Sequence, residues 1–357
     1  SDVCSSDLHT MRRQAEQLSV AAQGLKFTSF AVGGGTPLIL DEGQLEELFC
    51  LAELFGVHPS RVFTSVETSP EYTQKSVLRQ LRARGVERLS MGVQSFNETE
   101  LKKLKRRPGL GTVVGALENI VEAGFPQFNL DLIYGIEGQT VESFMRSLNT
   151  ALTYRPNELF IYPLYVRPGT RIDVRSTDDI GYAIYKSARE LLVGQGFVQT
   201  SMRRFVRRET TETEFSCGDE VMLSCGAGGR SYLGNLHYAT PYAVRQQAIA
   251  DEIDHYIRTT DFMTAANGFL LSTEEMQIRF IIKNLMYHRG VDLAEYEKRF
   301  GEKPDRNLFR EFTDRGWIEE TGRIVRLTEE GMAYSDYIGQ AFISPAVRKL
   351  MSEYVYP

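Results

Sequence analysis

Short runs of β-branched and aromatic residues recur along the first half of this chain at intervals of about thirty residues, the length of a βα unit. The runs fall at 27–32, 61–66, 88–93, 128–133 and 159–164. Amphipathic stretches lie between them. Asp41 stands where a helix cap would be, ahead of Leu45, Leu48, Phe49 and Ala52 on one helical face. Stretches 112–123 and 141–154 repeat that period, with Thr140 placed to cap the second. Strands alternating with helices dictate an α/β fold with a parallel sheet and helical crossovers. Five units in a row without an obvious reversal favour a barrel or partial barrel over a doubly wound sheet.

Beyond about residue 172 the alternation weakens. A helix is expected over 180–194, a strand region over 197–206 and a charged loop over 207–214. From about residue 272 the character changes again. Helices are expected at 273–287, 293–300 and 307–315, short strands at 317–319 and 324–327, and a closing helix at 328–338. This order describes a small winged-helix-like α+β module. Residues 271–357 carry 13 Lys and Arg against 15 Asp and Glu. The module lacks the basic excess of a phosphate-binding surface, so a structural or substrate-covering role is expected.

The whole chain has a net charge of −6, which argues against a nucleic-acid partner. No apolar run approaches a membrane span, and no secretory signal is readable. The four cysteines, Cys4, Cys50, Cys217 and Cys225, are few enough for a reduced, cytoplasmic protein. Cys217 and Cys225 lie too far apart for a compact metal loop. Cys50 is expected in the core, on the apolar face of its helix. Residues 1–8, Ser-Asp-Val-Cys-Ser-Ser-Asp-Leu, match the translation of a common sequencing-adapter end. The expectation is that they are not native, that Cys4 has no function, and that a true N-terminal part lies outside this sequence.

In parallel α/β folds ligands meet the loops at the carboxyl ends of strands. Gly33-Gly34-Gly35-Thr36-Pro37 follows the first run, and glycines there let backbone approach a ligand or simply turn tightly. Glu67-Thr68-Ser69-Pro70 follows the second and Gln94-Ser95 the third. Asp131 sits inside the apolar run Leu130–Ile133, where a charge needs a partner or a ligand.

The segments GGGTP, VETSP, ERLSMGVQSFN and NLDLIYGIEGQT, in this order and spacing, resemble the radical SAM family. More narrowly, they resemble the branch of oxygen-independent coproporphyrinogen III oxidase (HemN) and the haem chaperone HemW. The likeness covers roughly 27–235, and Arg326-Leu327-Thr328-Glu329-Glu330-Gly331 resembles that branch's C-terminal domain. It implies a partial (β/α) barrel of radical SAM type. The divisions expected are 9–235 for a truncated core and its extension, 236–271 for a connecting helical segment, and 272–357 for the C-terminal domain.

The resemblance also implies roles. Gly33, Gly34, Gly35 and Thr36 look like the loop whose backbone meets the methionyl amine of S-adenosylmethionine (SAM). Glu67 looks like the strand-end carboxylate beside it. Gln94 and Asp131 match polar positions near the ribose and methionyl groups. Arg107, ahead of Arg106, matches the arginine for the SAM carboxylate. Gly226, Ala227 and Gly228 resemble a glycine-rich segment that closes over the cofactor.

Family chemistry requires a [4Fe–4S] cluster on three cysteines, usually CxxxCxxC, from which an electron cleaves SAM to a 5′-deoxyadenosyl radical. This sequence contains no CxxxCxxC. The expectation is a radical SAM oxidoreductase whose cluster ligands lie outside this sequence, leaving this fragment inactive. It would act on a porphyrinogen or related small molecule, with an electron donor such as flavodoxin or ferredoxin. Arg203, Arg204, Arg207 and Arg208 either pair with substrate carboxylates or form a solvated loop balanced by Glu209, Glu212 and Glu214. The alternative is a HemW-like haem carrier, with His237 as a candidate axial ligand. A phosphate-binding barrel is disfavoured, because no P-loop lysine follows the glycines.

Overall fold

A computed structural model describes residues 2–106, 109–165, 178–208, 221–241, 243 and 245–354, and only the backbone of residues 2–6 and 178–179. Helix α1 (Asp2–Ala21) leads into strand β1 (Ser29–Val32). Then come α2 (Glu42–Glu53), β2 (Phe63–Thr68), α3 (Lys75–Ala83), β3 (Arg88–Gln94), α4 (Glu98–Lys103), α5 (Leu110–Ala123), β4 (Gln127–Tyr134), α6 (Val141–Thr153) and β5 (Glu158–Pro163). Helix α7 (Asp178–Gly194) precedes β6 (Phe197–Gln199) and β7 (Arg204–Arg207). The sheet order is β1-β2-β3-β4-β5-β7-β6. The first five strands are parallel neighbours in chain order, and β7 turns back antiparallel on β5. Sequential order with right-handed crossovers puts the helices on one face and leaves the other to line a lumen. This is a partial (β/α) barrel. The region 197–206, read as one strand, is a hairpin broken at 200–203.

Alternation along the strands sorts the two faces. Leu89, Met91, Leu130, Leu132, Leu159 and Ile161 point outward under the helices and are fully buried. Burying each such side chain contributes about 1.5–3 kcal/mol. The helices meet them through Leu45 and Phe49 of α2, Leu78 and Leu81 of α3, Leu117 and Ile120 of α5, and Phe144 and Leu148 of α6. Asp41 caps α2 by accepting from the Gln44 N–H at 2.9 Å, and Thr140 caps α6 by accepting from the Ser143 N–H at 3.2 Å. Cys50 is a correction. It is exposed, because it lies about 100° around α2 from Phe49, whose face is the buried one. Residues 2–8 lie within α1, and Leu8 is buried.

A second sheet is antiparallel, in the order β11-β10-β9-β8. It contains β8 (Val221–Met222), β9 (Arg230–Leu233), β10 (Leu236–Ala239) and β11 (Gly268–Leu270), with α8 (Gln246–Arg258) between the last two. The stretch 236–271 is therefore not simply helical. A division at 235 would cut the β9–β10 hairpin, in which Leu233 pairs with Leu236.

The C-terminal part contains α9 (Thr273–Leu285), β12 (Val291–Asp292), α10 (Leu293–Phe300), α11 (Asn307–Asp314), β13 (Ile318–Thr321), β14 (Ile324–Leu327), α12 (Glu329–Ala333), α13 (Ser335–Ala341) and α14 (Pro345–Glu353). Its helices and small sheet close a separate core around Phe280, Ile281, Leu285, Phe312 and Ile338. It docks on the barrel through Arg189 with Glu329, Tyr182 with Glu330, and Arg203 with Asp336. No helix among the described residues is long and apolar enough to cross a membrane.

Candidate functional site

The parallel pairing of β1 with β2 sets Val32 beside Val66, so the next residues, Gly33 and Glu67, come level at the strand ends. A Cβ on Gly33 would lie 2.7 Å from the Glu67 carboxyl carbon. Glycine is what lets the carboxylate cross the loop. The Gly34 N–H donates to Glu67 Oε2 at 3.2 Å. Gly34 and Gly35 both take positive φ, 84° and 144°, conformations that suit glycine. Thr36 precedes the short turn Pro37–Ile39 without a side-chain capping bond.

Gln94 ends β3 at φ 72°. A non-glycine residue there carries about 1–3 kcal/mol of backbone strain. The pairing slips from Gly92↔Asp131 to Gln94↔Leu132, a bulge that re-aims the side chain. Its amide folds back over Gly92, where a Cβ would sit 2.5 Å from Nε2. Asp131 accepts from Asn129 Nδ2 at 2.8 Å, and Asn129 also donates to Ser90 Oγ at 2.7 Å. Loss of surrounding water pushes the Asp131 carboxyl up to about 6. The Asn129 hydrogen bond and Arg88 oppose the rise, and the carboxylates of Glu67 and Glu158 add to it. Phe160, level with Asp131, stacks on Tyr162 at 5.6 Å on the same face of the sheet.

Deeper in the lumen lies a cluster that sequence reasoning did not identify. Glu158 is fully buried and accepts from Arg88 Nε at 3.0 Å and Arg204 Nη2 at 2.6 Å. Arg88 also donates to Ser65 Oγ at 2.9 Å. Burial pushes the Glu158 carboxyl up, but the two guanidinium groups outweigh it and hold it below the usual range. Of the four arginines read as substrate contacts or a solvated loop, Arg208 is exposed, as the loop reading has it, and the other three are bound within the protein. Arg204 serves Glu158. Arg203 is buried against Tyr165 and Asp336. Arg207 donates to the Pro156 carbonyl at 3.0 Å and lies over the Phe197 ring. Glu209, Glu212 and Glu214 lie outside the described residues. A second missed residue is Glu100. Buried beneath the strand ends, it accepts from Ser95, Ser143 and Gln139 at 2.6, 2.7 and 3.0 Å, stitching the β3 and β4 loops together. Only the three-dimensional register signals either cluster.

The fold thus gathers Gly33, Gly34, Glu67, Gln94 and Asp131 at one end of the lumen. Gly226 is held by α1: its N–H donates to Gln14 Oε1 at 2.8 Å, and a Cβ on it would lie 3.0 Å from Met11 Cε. Tyr256 of α8 donates to the same Gln14 oxygen at 2.7 Å. Ala227 follows in this loop, and the Gly228 N–H donates to Thr240 Oγ1 at 2.7 Å. Arg107 lies outside the described residues, and Arg106 is exposed. Grouped acceptors and backbone N–H groups at the strand ends suit a polar ligand with an amine and hydroxyls.

Comparison with known proteins agrees with this architecture. Residues 6–151 match the radical SAM superfamily and residues 271–334 the HemN C-terminal domain. The haem chaperone HemW of Bacillus subtilis is 27% identical over 334 residues, covering 87% of this chain and 84% of that protein. The oxygen-independent coproporphyrinogen III oxidase of Salmonella typhimurium is 35% identical over 292 residues, covering 75% of this chain and 62% of that protein. The solved structure of Escherichia coli HemN, described as a radical SAM enzyme, superposes with a TM-score of 0.79 at 22% identity, covering 95% of this chain and 83% of that one.

The superfamily works with SAM and a [4Fe–4S] cluster, and the described residues do not fit the cluster. Cys50 is on the exposed side of α2. Cys225 follows β8 in the second sheet, its thiol pushed up to about 12 by burial. Cys217 and the Cys4 side chain lie outside the described residues. No group of three His, Cys, Asp or Glu among the described residues is arranged to hold a metal ion.

Proposed function

On the premise that this chain belongs to the radical SAM superfamily, in the branch of HemW and oxygen-independent coproporphyrinogen III oxidase, we propose that it binds SAM at the carboxyl ends of β1–β4. We propose further that the protein acts on an acidic tetrapyrrole. The observation that carries the SAM site is the closure of the glycine loop onto Glu67, on the lumen face that also presents Asp131. The backbone at 33–36 and Glu67 would receive the methionyl amine. Gln94 and Asp131 would receive the ribose and methionyl groups, and Arg107 the carboxylate. Bound SAM supplies the 5′-deoxyadenosyl group. Asp131, half-buried and bonded to Asn129, holds its acceptor oxygens in a fixed direction. The stacked Phe160 and Tyr162 offer an apolar wall to a flat ligand.

As the reaction we propose oxidation of a porphyrinogen, in the cytoplasm, with flavodoxin or ferredoxin as electron donor. Carriage of haem is the second reading, favoured by one observation: the Nε2 of His237 is buried with no hydrogen-bond partner among the described residues. Equilibrium dialysis with labelled SAM tests the site. Saturable binding should weaken about tenfold, roughly 1.4 kcal/mol, in Glu67→Ala and in Asp131→Ala. Affinity unchanged in both would remove the site from the strand ends. Iron–sulfur reconstitution of this chain should leave no stoichiometric iron and sulfide. Cluster assembly with SAM cleavage would contradict that expectation.

A further inference from the structure

Gln94, a SAM contact in the reading above, stands in a turn that a side chain does not favour. The Ser95 N–H donates to the Val93 carbonyl at 2.9 Å, closing a three-residue turn around Gln94 at φ 72°. This is the γ-turn of positive φ, which is rare and strained. Such a conformation persists only where the surroundings fix it. Here they converge on Ser95, which is buried. Its hydroxyl donates to Glu100 Oε2 at 2.6 Å and accepts from the Asn97 N–H at 2.9 Å. The next N–H, that of Phe96, donates to Ser147 Oγ of α6 at 3.1 Å.

Glu100 comes from α4 and is only 4% exposed. The hydroxyls of Ser95 and Ser143 and the amide of Gln139 all donate to it. Gln139 in turn accepts from the Gly135 N–H at 2.8 Å, in the loop that leaves β4. Lys103, one turn further along α4, donates to the Glu137 carbonyl of the same loop at 2.5 Å. One short helix therefore grips the exits of β3 and β4 together. The order of protons depends on the carboxylate. Each serine has one proton and directs it to Glu100, which leaves its lone pairs for backbone. Ser95 uses them for the Asn97 N–H, and Ser143 for the Thr140 N–H at 3.1 Å. An alkyl side chain at position 100 would accept nothing and would leave the Ser95 hydroxyl to the more distant Ser147 Oγ, at 3.4 Å.

We propose that Glu100 is a positioning residue for SAM binding. It fixes Ser95, Ser95 holds the strained turn, and the turn lays the Gln94 amide over Gly92, the residue paired with Asp131. The proposal rests on the SAM site proposed above and adds a residue that acts on it from behind the strand ends. Its effect passes through Gln94.

The test is a double-mutant cycle between positions 100 and 94, read by equilibrium dialysis of the full chain with labelled SAM. Glu100→Ala should weaken binding about tenfold, because the competent turn is then less populated. In a Gln94→Ala background the same change should have little further effect, since the group being aimed is gone. Glu100→Gln should restore most of the affinity. Its carbonyl can accept from Ser95 and Gln139, and its amide can donate to Ser143, whose hydroxyl then turns to the Thr140 carbonyl at 3.1 Å. Ser95→Ala cuts the link and keeps the carboxylate. It should reproduce the loss, and it carries the test if Glu100→Ala does not fold. Equal losses from Glu100→Ala with and without Gln94 would show general loosening of the fold and overturn the proposal. Unchanged affinity in Glu100→Ala and Ser95→Ala, beside weakened binding in Glu67→Ala, would overturn it and leave the SAM site standing. Absence of saturable SAM binding in wild type would overturn the site and this role together.

Discussion

Two buried polar groups, the Glu158 carboxyl on the floor of the lumen and the His237 Nε2 of β10, are treated in opposite ways. On the floor, Glu158 is answered by Arg88 and Arg204, and Arg88 again by Ser65. In β10, His237 Nε2 has no hydrogen-bond partner among the described residues. The first arrangement satisfies itself and holds strands β2, β3, β5 and β7 together. The strand ends lie between these cases: Glu67 and Asp131 each accept one bond from the protein and retain capacity for a ligand. Satisfaction of polar groups, rather than their presence, separates scaffold from site.

The strongest way to break this contrast is to unbalance the floor. Glu158→Ala leaves two guanidinium groups buried without their carboxylate and should destabilise the fold by about 3–5 kcal/mol in urea unfolding. A loss below about 1 kcal/mol would show that water reaches the cluster. Leu130→Ala, on the apolar face of the same sheet, should cost about 2–5 kcal/mol through its cavity and leave the polar face intact.

The contrast is sharpened by pH. The Asp131 carboxyl is raised from 3.8 to about 6 by burial, so its ionisation opposes folding. The penalty is absent below the unfolded value, grows as pH rises from about 4 to about 6, and is constant above that. Asp131→Asn should therefore gain stability relative to wild type across this window, reaching about 1–2 kcal/mol at pH 7 after allowance for its partial exposure. A difference that is flat from pH 4 to 7 would place the titration elsewhere.

Gly33→Ala should cost little stability, since the clashing atoms are the far end of the Glu67 side chain. It should lower SAM affinity about tenfold by moving that carboxylate. The smallest effect concerns the cysteines. Alkylation of the native protein, mapped by mass spectrometry, should modify exposed Cys50 quickly and Cys225 only on unfolding. Cys50→Ser should change stability by no more than about 0.5 kcal/mol.

Much of the barrel was legible because its signals are local. Each of the five parallel strands lies within two residues of the span expected from its run, apart from small shifts at the ends. Asp41 and Thr140 cap the helices expected of them. The second sheet was not legible: its strands are two to four residues long, too short for a period of two to stand out. Cys50 misled because a helical stripe was read one position too wide. The site was legible in part. Glu67, Gln94 and Asp131 were singled out from strand-end position and the family resemblance, and the fold places them near one another. Arg88, Glu100 and Glu158 were missed because their meaning depends on partners as far as 70 residues away along the chain.

The sequence by itself determined the order of elements, the apolar face of each strand and helix, and the glycine loop. Each of these follows from residue type and spacing along the chain. Tertiary structure alone decided which polar groups are answered. Hydrogen bonding and desolvation depend on distances across the sheet, and register sets those distances. That is why Glu158 became scaffold, why Asp131 stayed available, and why His237, one histidine among five, has a buried Nε2 with no hydrogen-bond partner among the described residues.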